Sequence, residues 1–275
     1  MTRLVPEVTL NNGVKMPQLG LGVFQVPNDT AADIVARALE VGYRAVDTAA
    51  AYRNEKGTGQ AIAASGIPRE KLFVTTKLWN DNQGYDSTMR AFDTSLAQLG
   101  LEYVDLYLIH WPCPKQDKYL DTWKAFERIY ADGRARAIGV SNFEIAHLER
   151  LAEASEITPA VNQIELHPRL PQRELSGYLD GQGIACEAWS PLGQGTVLDD
   201  PVLKTIAEKH GKTPAQVVLR WHLDADRIVI PKTVTPARLK ENLDVFDFIL
   251  DRDDRAAISA LGSGDRIGPN PNDFG

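Results

Sequence analysis

Four side chains of this sequence, Asp47, Tyr52, Lys77 and His110, could carry out acid–base chemistry together. Asp47, Lys77 and His110 each end an apolar run of strand-forming residues, and Tyr52 follows Asp47 closely. A phenol beside an ammonium group loses its proton more readily, because the positive charge favours the phenolate. A Tyr–Lys pair can therefore make a general acid from a group whose free pKa is about 10.

Each of these residues also has an ordinary structural explanation. A charged group at a strand end, such as Asp47 or Lys77, is more often solvated or salt-bridged than catalytic. Tyr52 could be a packing residue, and His110 could be a structural histidine. The catalytic interpretation is favoured because three of the four groups end three separate strands.

The rest of the chain alternates between short apolar strands and amphipathic helices. The pattern predicts strands at residues 19–23, 43–47, 73–77, 104–110, 135–141, 160–165, 184–190 and 227–231. Predicted helices cover residues 30–41, 55–65, 87–99, 119–131, 144–154, 172–179, 201–210, 214–223, 236–245 and 252–261, the first of them capped by Asp29-Thr30. This alternation predicts a parallel sheet. Eight units in 275 residues favour a closed α/β barrel of the (β/α)8 TIM type. All strand carboxyl ends then meet on one face, where the four side chains can converge.

Two segments lie outside the alternating pattern. Residues 8–16 predict a β-hairpin with Asn12-Gly13 in its turn, and we expect it to plug the bottom of the barrel. Residues 262–275 are rich in Gly, Pro, Asn and Asp, which predicts either disorder or a loop over the active face. Without a linker or an internal repeat, residues 1–275 are expected to form a single domain.

Composition and charge restrict the possible partners. A net charge of −7 argues against nucleic acid or an anionic membrane as a partner. No apolar run is long enough to span a bilayer, and the amino terminus lacks a signal-peptide core. The two cysteines, Cys113 and Cys186, do not indicate a disulfide framework, so we expect a reducing cytoplasm. We also expect a monomer that acts on a small molecule.

The sequence lacks the motifs of several other kinds of functional site. None of the five histidines forms an HxH or HExxH pattern, and Lys77 would repel a cation, so no metal is expected. Neither a G-x-S-x-G elbow nor a P-loop is present. The G-x-G pairs at residues 20–22, 57–59 and 193–195 lack the third glycine of a Rossmann site.

A barrel can instead bind a nucleotide at the loops that follow its last two strands. Thr235-Pro236 resembles a helix cap followed by a first-turn proline, and Lys232 and Arg238 flank that helix start. This cluster suits an extra phosphate, such as the 2′-phosphate of NADP, although a solvated basic face would have the same composition.

Strands five, six and seven end in side chains that could hold a nicotinamide. Ser141, Asn142 and Gln163 could bond a carboxamide, and Trp189 could stack on a planar ring. Polar strand caps and a core tryptophan are the alternative explanation.

These residues resemble the aldo-keto reductase superfamily over nearly the whole chain. The most specific stretches are residues 42–55, 101–112, 138–143, 161–168 and 230–232. Within the superfamily the chain is most similar to the bacterial 2,5-diketo-D-gluconate reductase group, on the basis of residues 191–195 and 242–248.

The resemblance implies NADPH-dependent reduction of small aldehydes, ketones, α-dicarbonyls or keto-sugars to alcohols. It makes Tyr52 the proton donor, Lys77 the group that lowers the pKa of Tyr52, and Asp47 the partner of Lys77. His110 would orient the substrate carbonyl. A regulatory NADPH-binding module is the alternative within the superfamily, although no partner-binding extension is evident.

The resemblance also implies the binding residues. The NADPH/NADP+ set comprises Gly22, Val23, Ser141, Asn142, Gln163, Trp189, Ser190, Leu192, Gln194, Gly195, Lys232, Thr233, Val234, Arg238, Glu241 and Asn242. The substrate pocket would use Phe24, Trp79, His110 and Trp111. Trp189 stands where many members have tyrosine. Thr235 replaces an arginine of a close relative, which predicts modest affinity for the 2′-phosphate.

Overall fold

A computed structural model describes residues 5–275 as a parallel barrel surrounded by helices. A hairpin of β1 (Glu7–Thr9) and β2 (Lys15–Pro17) precedes the barrel strands β3 (Leu21–Gly22), β4 (Ala45–Asp47), β5 (Phe73–Leu78), β6 (Val104–Ile109), β7 (Ala135–Ser141), β8 (Val161–Glu165), β9 (Ala185–Trp189) and β10 (Ile228–Val229). The helices are α1 (Asn28–Val41), α2 (Glu55–Ala64), α3 (Tyr85–Leu99), α4 (Tyr119–Ala131), α5 (Ile145–Ala154), α6 (Arg173–Gly181), α7 (Pro201–His210), α8 (Pro214–Leu223), α9 (Pro236–Leu243) and α10 (Arg252–Ser259).

The barrel closes between its first and last strands. β3 to β10 pair in chain order, each parallel to the next. Parallel bridges join Leu19 to Val229 and Gly22 to Lys232, and the Gly20 N–H donates to the Val229 carbonyl over 2.9 Å. The prediction of a (β/α)8 barrel with additional helices is confirmed. Within residues 5–275, no helix is both long and apolar enough to cross a membrane.

Local signals explain many helix ends. Thr213 and Gln216 form a capping box at the start of α8, and Gly42 ends α1 with a φ of 118°. The predicted Asp29-Thr30 cap is wrong, because α1 already begins at Asn28 after Pro27 and lacks a side-chain cap. Pro27 is the extended N-cap residue, with a ψ of 150°, and its carbonyl accepts the Ala31 N–H over 2.7 Å, so the first helical turn begins before the polar pair.

The hairpin closes the amino-terminal end of the barrel, as predicted. Leu10 and Met16 are buried in a cluster with Phe73 and Leu106 from the barrel strands. The Asn11 side-chain amide also donates to the Pro159 carbonyl, just before β8, over 3.0 Å. This leaves the carboxyl ends of the strands free for a site.

The carboxyl-terminal segment lies over the opposite face. The Phe274 ring centroid is 4.6 Å from that of Trp111, and the Ile267 N–H donates to the Glu165 carboxylate over 2.6 Å. Of the two predicted alternatives for this tail, the ordered loop over the active face is therefore correct.

Candidate active site

An ion pair lies at the centre of the barrel face. Lys77, on β5, donates from Nζ to Asp47 Oδ1 over 2.6 Å and to the Thr48 carbonyl over 3.0 Å. The Lys77 side chain is fully buried. Burial lowers the pKa of Lys77, but the charge and hydrogen bond of Asp47, together with Tyr52 and Glu187, raise it by more, and the pKa is raised overall. Lys77 therefore remains a cation inside the barrel.

The Tyr52 hydroxyl is the next group along this chain of contacts. Tyr52 ends a short 3-10 helix, Ala50–Tyr52, that follows β4, and its hydroxyl lies 3.4 Å from Lys77 Nζ. Burial raises the pKa of Tyr52 above its usual value, and Lys77, as expected, lowers it, but by less than burial raises it. Tyr52 is thus protonated at neutral pH.

His110 lies directly after β6, against Tyr52 and Trp79. Its ring centroid is 5.6 Å from that of Tyr52 and 5.3 Å from that of Trp79, both in edge-on arrangements. Burial and the nearby Lys77 charge hold the pKa of His110 well below its usual range. The imidazole is therefore neutral, with one N–H to donate.

These groups face a cleft of about 780 Å³ at the carboxyl ends of the strands. Its lining includes all three predicted aromatic residues, Phe24, Trp79 and Trp111. The same cleft is also lined by residues that the sequence did not indicate, namely Gln25, Ile267, Gly268, Pro269 and Phe274. The sequence allowed a tail over the active face but did not show which tail residues line the cleft, because a loop without periodicity does not show where it docks.

The predicted nicotinamide contacts form one hydrogen-bonded group in the cleft wall. Trp189 Nε1 donates to Asn142 Oδ1 over 2.8 Å, and Asn142 Nδ2 donates to the His110 carbonyl over 3.0 Å. The Ser141 hydroxyl donates to the Gln163 carbonyl over 2.8 Å. Asn142 has a φ of 63°, in the left-handed region, so the backbone turns sharply where its amide enters the site.

Only some of the predicted cofactor residues in the loop after β9 and at the end of β3 line the cleft. Ser190 and Gln194 line the cleft, as does Gly22 from β3. Leu192 instead packs against the hydrophobic core, Gly195 is exposed, and Val23 is fully buried. Leu192, Gly195 and Val23 are not among the residues that line the cleft.

The basic cluster flanks the start of α9, as the sequence indicates. Lys232 lines the cleft, and Lys232 and Arg238 are exposed without an ion-pair partner among residues 5–275. The predicted N-cap Thr235, followed by Pro236 at the start of the helix, is confirmed, but the Thr235 side chain makes no capping hydrogen bond. The Thr235 N–H donates to the Thr233 hydroxyl. The start of α9 therefore lacks a side-chain cap of its own.

The remaining predicted residues of this cluster differ in accessibility. Val234 is exposed and Asn242 is buried. The Glu241 carboxylate accepts a hydrogen bond of 2.7 Å from the Thr213 hydroxyl. Glu241 is therefore already bound to the start of α8.

Two buried carboxylates of the site were not singled out from the sequence. Glu187, on β9, accepts from Gln163 Nε2 over 2.8 Å. Glu165, on β8, accepts from the backbone of Ile267 and Gly268 in the tail. An acidic residue within an apolar strand was the available signal for both. Within residues 5–275, His, Cys, Asp and Glu side chains do not form a group of three or more that could hold a metal ion.

Comparison with known proteins identifies the family of this chain. The model of the aldo/keto reductase family matches residues 16–263. The chain is 54% identical to a glyoxal reductase of Bacillus subtilis, over 99% of both chains. It is 52% identical to the methylglyoxal reductase DkgA of Yersinia pestis, over 98% of both chains.

A solved structure agrees in fold over the same length. The crystal structure of a Gox0644 point mutant in complex with NADPH superimposes with a TM-score of 0.96 at 49% identity, covering 99% of this chain and all of that one. The chain therefore belongs to the aldo/keto reductase family and is an oxidoreductase of that family, similar to its methylglyoxal and diketogluconate reductase group.

Proposed function

We propose that the protein reduces small aldehydes and ketones to alcohols, with NADPH as reductant and Tyr52 as proton donor. The observation that carries this proposal is the contact series Asp47–Lys77–Tyr52, which opens into a cleft beside the neutral His110. When bound, NADPH supplies a hydride for the carbonyl carbon, and the protein supplies orientation and the proton.

Tyr52 must hold its proton before the reaction and lose it during the reaction. The raised pKa of Tyr52 meets the first requirement. Lys77 meets the second, because its ammonium group lies 3.4 Å from the hydroxyl and stabilises the developing phenolate. Asp47 fixes Lys77 in that position through their 2.6 Å ion pair.

His110 orients the carbonyl oxygen in this proposal. Its imidazole is neutral and lies beside Tyr52, so it can donate an N–H to an oxygen that is gaining negative charge. A neutral donor stabilises this charge without competing with Tyr52 as the acid. The two residues thus have separate roles.

The arrangement of the cleft fits a dinucleotide. Trp189, Asn142 and Gln163 line the cleft and suit a flat ring with a carboxamide. Lys232 also lines the cleft, and with Arg238 and the uncapped start of α9 it suits the 2′-phosphate. The structure described above with NADPH bound supports the same cofactor for this chain.

The substrate class is inferred from the character of the pocket and from the named relatives. Phe24, Trp79, Trp111 and Phe274 give the cleft apolar walls near His110. Relatives named glyoxal reductase and methylglyoxal reductase support small α-dicarbonyls as substrates. Keto-sugars are a further prediction from the sequence.

The test follows the loss of reduced-nicotinamide absorbance over a panel of small carbonyls, with NADPH and NADH in parallel. Turnover of glyoxal-type substrates, faster with NADPH, would support the proposal. NADPH binding without turnover of any carbonyl in the panel would contradict it. A monomeric state, a cytoplasmic location and a single domain over residues 1–275 stay predictions.

A further inference from the structure

Glu187 is a buried carboxyl group that the proposed mechanism does not use. It lies on β9, directly opposite Gln163 of β8 in the strand register, and is 1% exposed. Gln163 Nε2 donates to Glu187 Oε2 over 2.8 Å and to Asp47 Oδ2, also over 2.8 Å. The Gln163 amide therefore connects Glu187 to the Asp47–Lys77 pair.

These two bonds use the whole donor capacity of the amide. A glutamine side chain has two N–H groups and one carbonyl oxygen. With both N–H groups given to carboxyl groups, Gln163 can offer a ligand only its oxygen. Reversing the amide would place that oxygen against the Asp47 carboxylate, which is electrostatically unfavourable. If Asp47 were the only acceptor, one of the two N–H groups of Gln163 would lack a partner.

We propose that Glu187 is a positioning residue that, with Asp47, fixes the Gln163 amide so that it presents an acceptor to the bound nicotinamide carboxamide. This inference rests on the proposed function only for the identity of the cofactor. The bound carboxamide then donates its N–H to Gln163, which sets the rotation of the ring relative to Tyr52 and His110. A ligand without that N–H loses the bond.

The charge state of Glu187 determines which variant is a suitable control. Burial, followed by the charge of Asp47, raises the pKa of Glu187 to about 8. Glu187 is therefore largely neutral at pH 7, and Glu187→Gln preserves both its shape and an acceptor oxygen. Glu187→Met has similar length but cannot accept the Gln163 N–H as an oxygen does.

The test measures binding rather than turnover, at pH 7. The ligands are NADP+ and its 3-acetylpyridine analogue, in which a methyl ketone replaces the carboxamide and removes the N–H. The wild-type protein and Glu187→Gln should prefer NADP+ by roughly tenfold, the value of one hydrogen bond. For Glu187→Met we expect the preference to fall below about threefold, because Asp47 alone holds the amide less firmly and one Gln163 N–H is left without its partner.

A Glu187→Met variant that retains the wild-type preference would overturn the proposal, as would a wild-type protein without a preference. Circular dichroism checks folding, and Glu187→Ala replaces the Met variant if that variant does not fold. Turnover of small carbonyls by the wild-type protein is measured separately. Its absence would count against the proposed function and leave the binding result for Glu187 intact.

Discussion

The fully buried Lys77 ammonium donates a 2.6 Å hydrogen bond to the carboxylate of Asp47. Removing either partner from such a pair leaves an uncompensated charge in the protein interior. The pair therefore has a structural role as well as its proposed role beside Tyr52. The two roles can be separated by experiment.

Lys77→Met should lower the free energy of unfolding by about 3–5 kcal/mol, because Asp47 is left buried and unpaired. The double variant Asp47→Asn with Lys77→Met should recover part of this loss but none of the activity. Denaturant unfolding and carbonyl reduction measure the two effects. Lys71→Met, at an exposed lysine just before β5, is the control and should change neither. Recovered activity in the double variant would show that Lys77 has no catalytic role.

The neutral state of His110 predicts a flat pH profile near neutrality. Its pKa is held well below 6.5, so lowering the pH from 7.5 to 6 should not protonate it. Tyr52, whose pKa is raised, keeps its proton over the same range. We therefore expect kcat/KM for reduction to change less than about twofold between pH 6 and 7.5. A titration with an apparent pKa near 6.5 would show that His110 is charged in part of this range.

The fold and the four central residues could be predicted because their signals are local. Alternating strands and helices imply a barrel, and a barrel brings strand ends such as Asp47 and Lys77 to one face. The pKa direction of Tyr52 could not be predicted, because it depends on burial by distant segments. Phe274 and Glu165 were missed for a similar reason, since the docking of the tail is a contact across more than 100 residues.

Residues 267–268 of the tail should become more mobile when the Glu165 carboxylate is removed. The Glu165 carboxylate accepts the N–H groups of Ile267 and Gly268 over 2.6 and 2.9 Å. Glu165→Ala should therefore accelerate hydrogen exchange at both amides by about tenfold or more, because two bonds to a charged acceptor are lost. Glu153→Ala, at an exposed position on α5, is the control. Unchanged exchange in Glu165→Ala would show that other tail contacts, such as those of Arg266 with Glu144 and of Phe274 with Trp111, hold this segment without Glu165.

The basic residues at α9 should distinguish NADPH from NADH. Replacing Lys232 and Arg238 with alanine removes two cations from the proposed 2′-phosphate site. We expect NADPH binding to weaken by about 30-fold or more, and NADH binding by less than about threefold. Lys240→Ala, in the last turn of the same helix, is the control for general charge effects. Equal weakening of both cofactors would show that this pair does not bind the 2′-phosphate.

The central claim is that Tyr52 gives its proton to the carbonyl oxygen. Tyr52→Phe keeps the aromatic contacts with Phe24 and His110 but removes the hydroxyl beside Lys77. The most direct test is single-turnover reduction of methylglyoxal by the NADPH-loaded variant, with the dissociation constant for NADPH measured on the same sample. We expect the rate of the chemical step to fall by about 10²–10⁴-fold while NADPH binding changes less than twofold. A Tyr52→Phe variant with the wild-type single-turnover rate would contradict this mechanism.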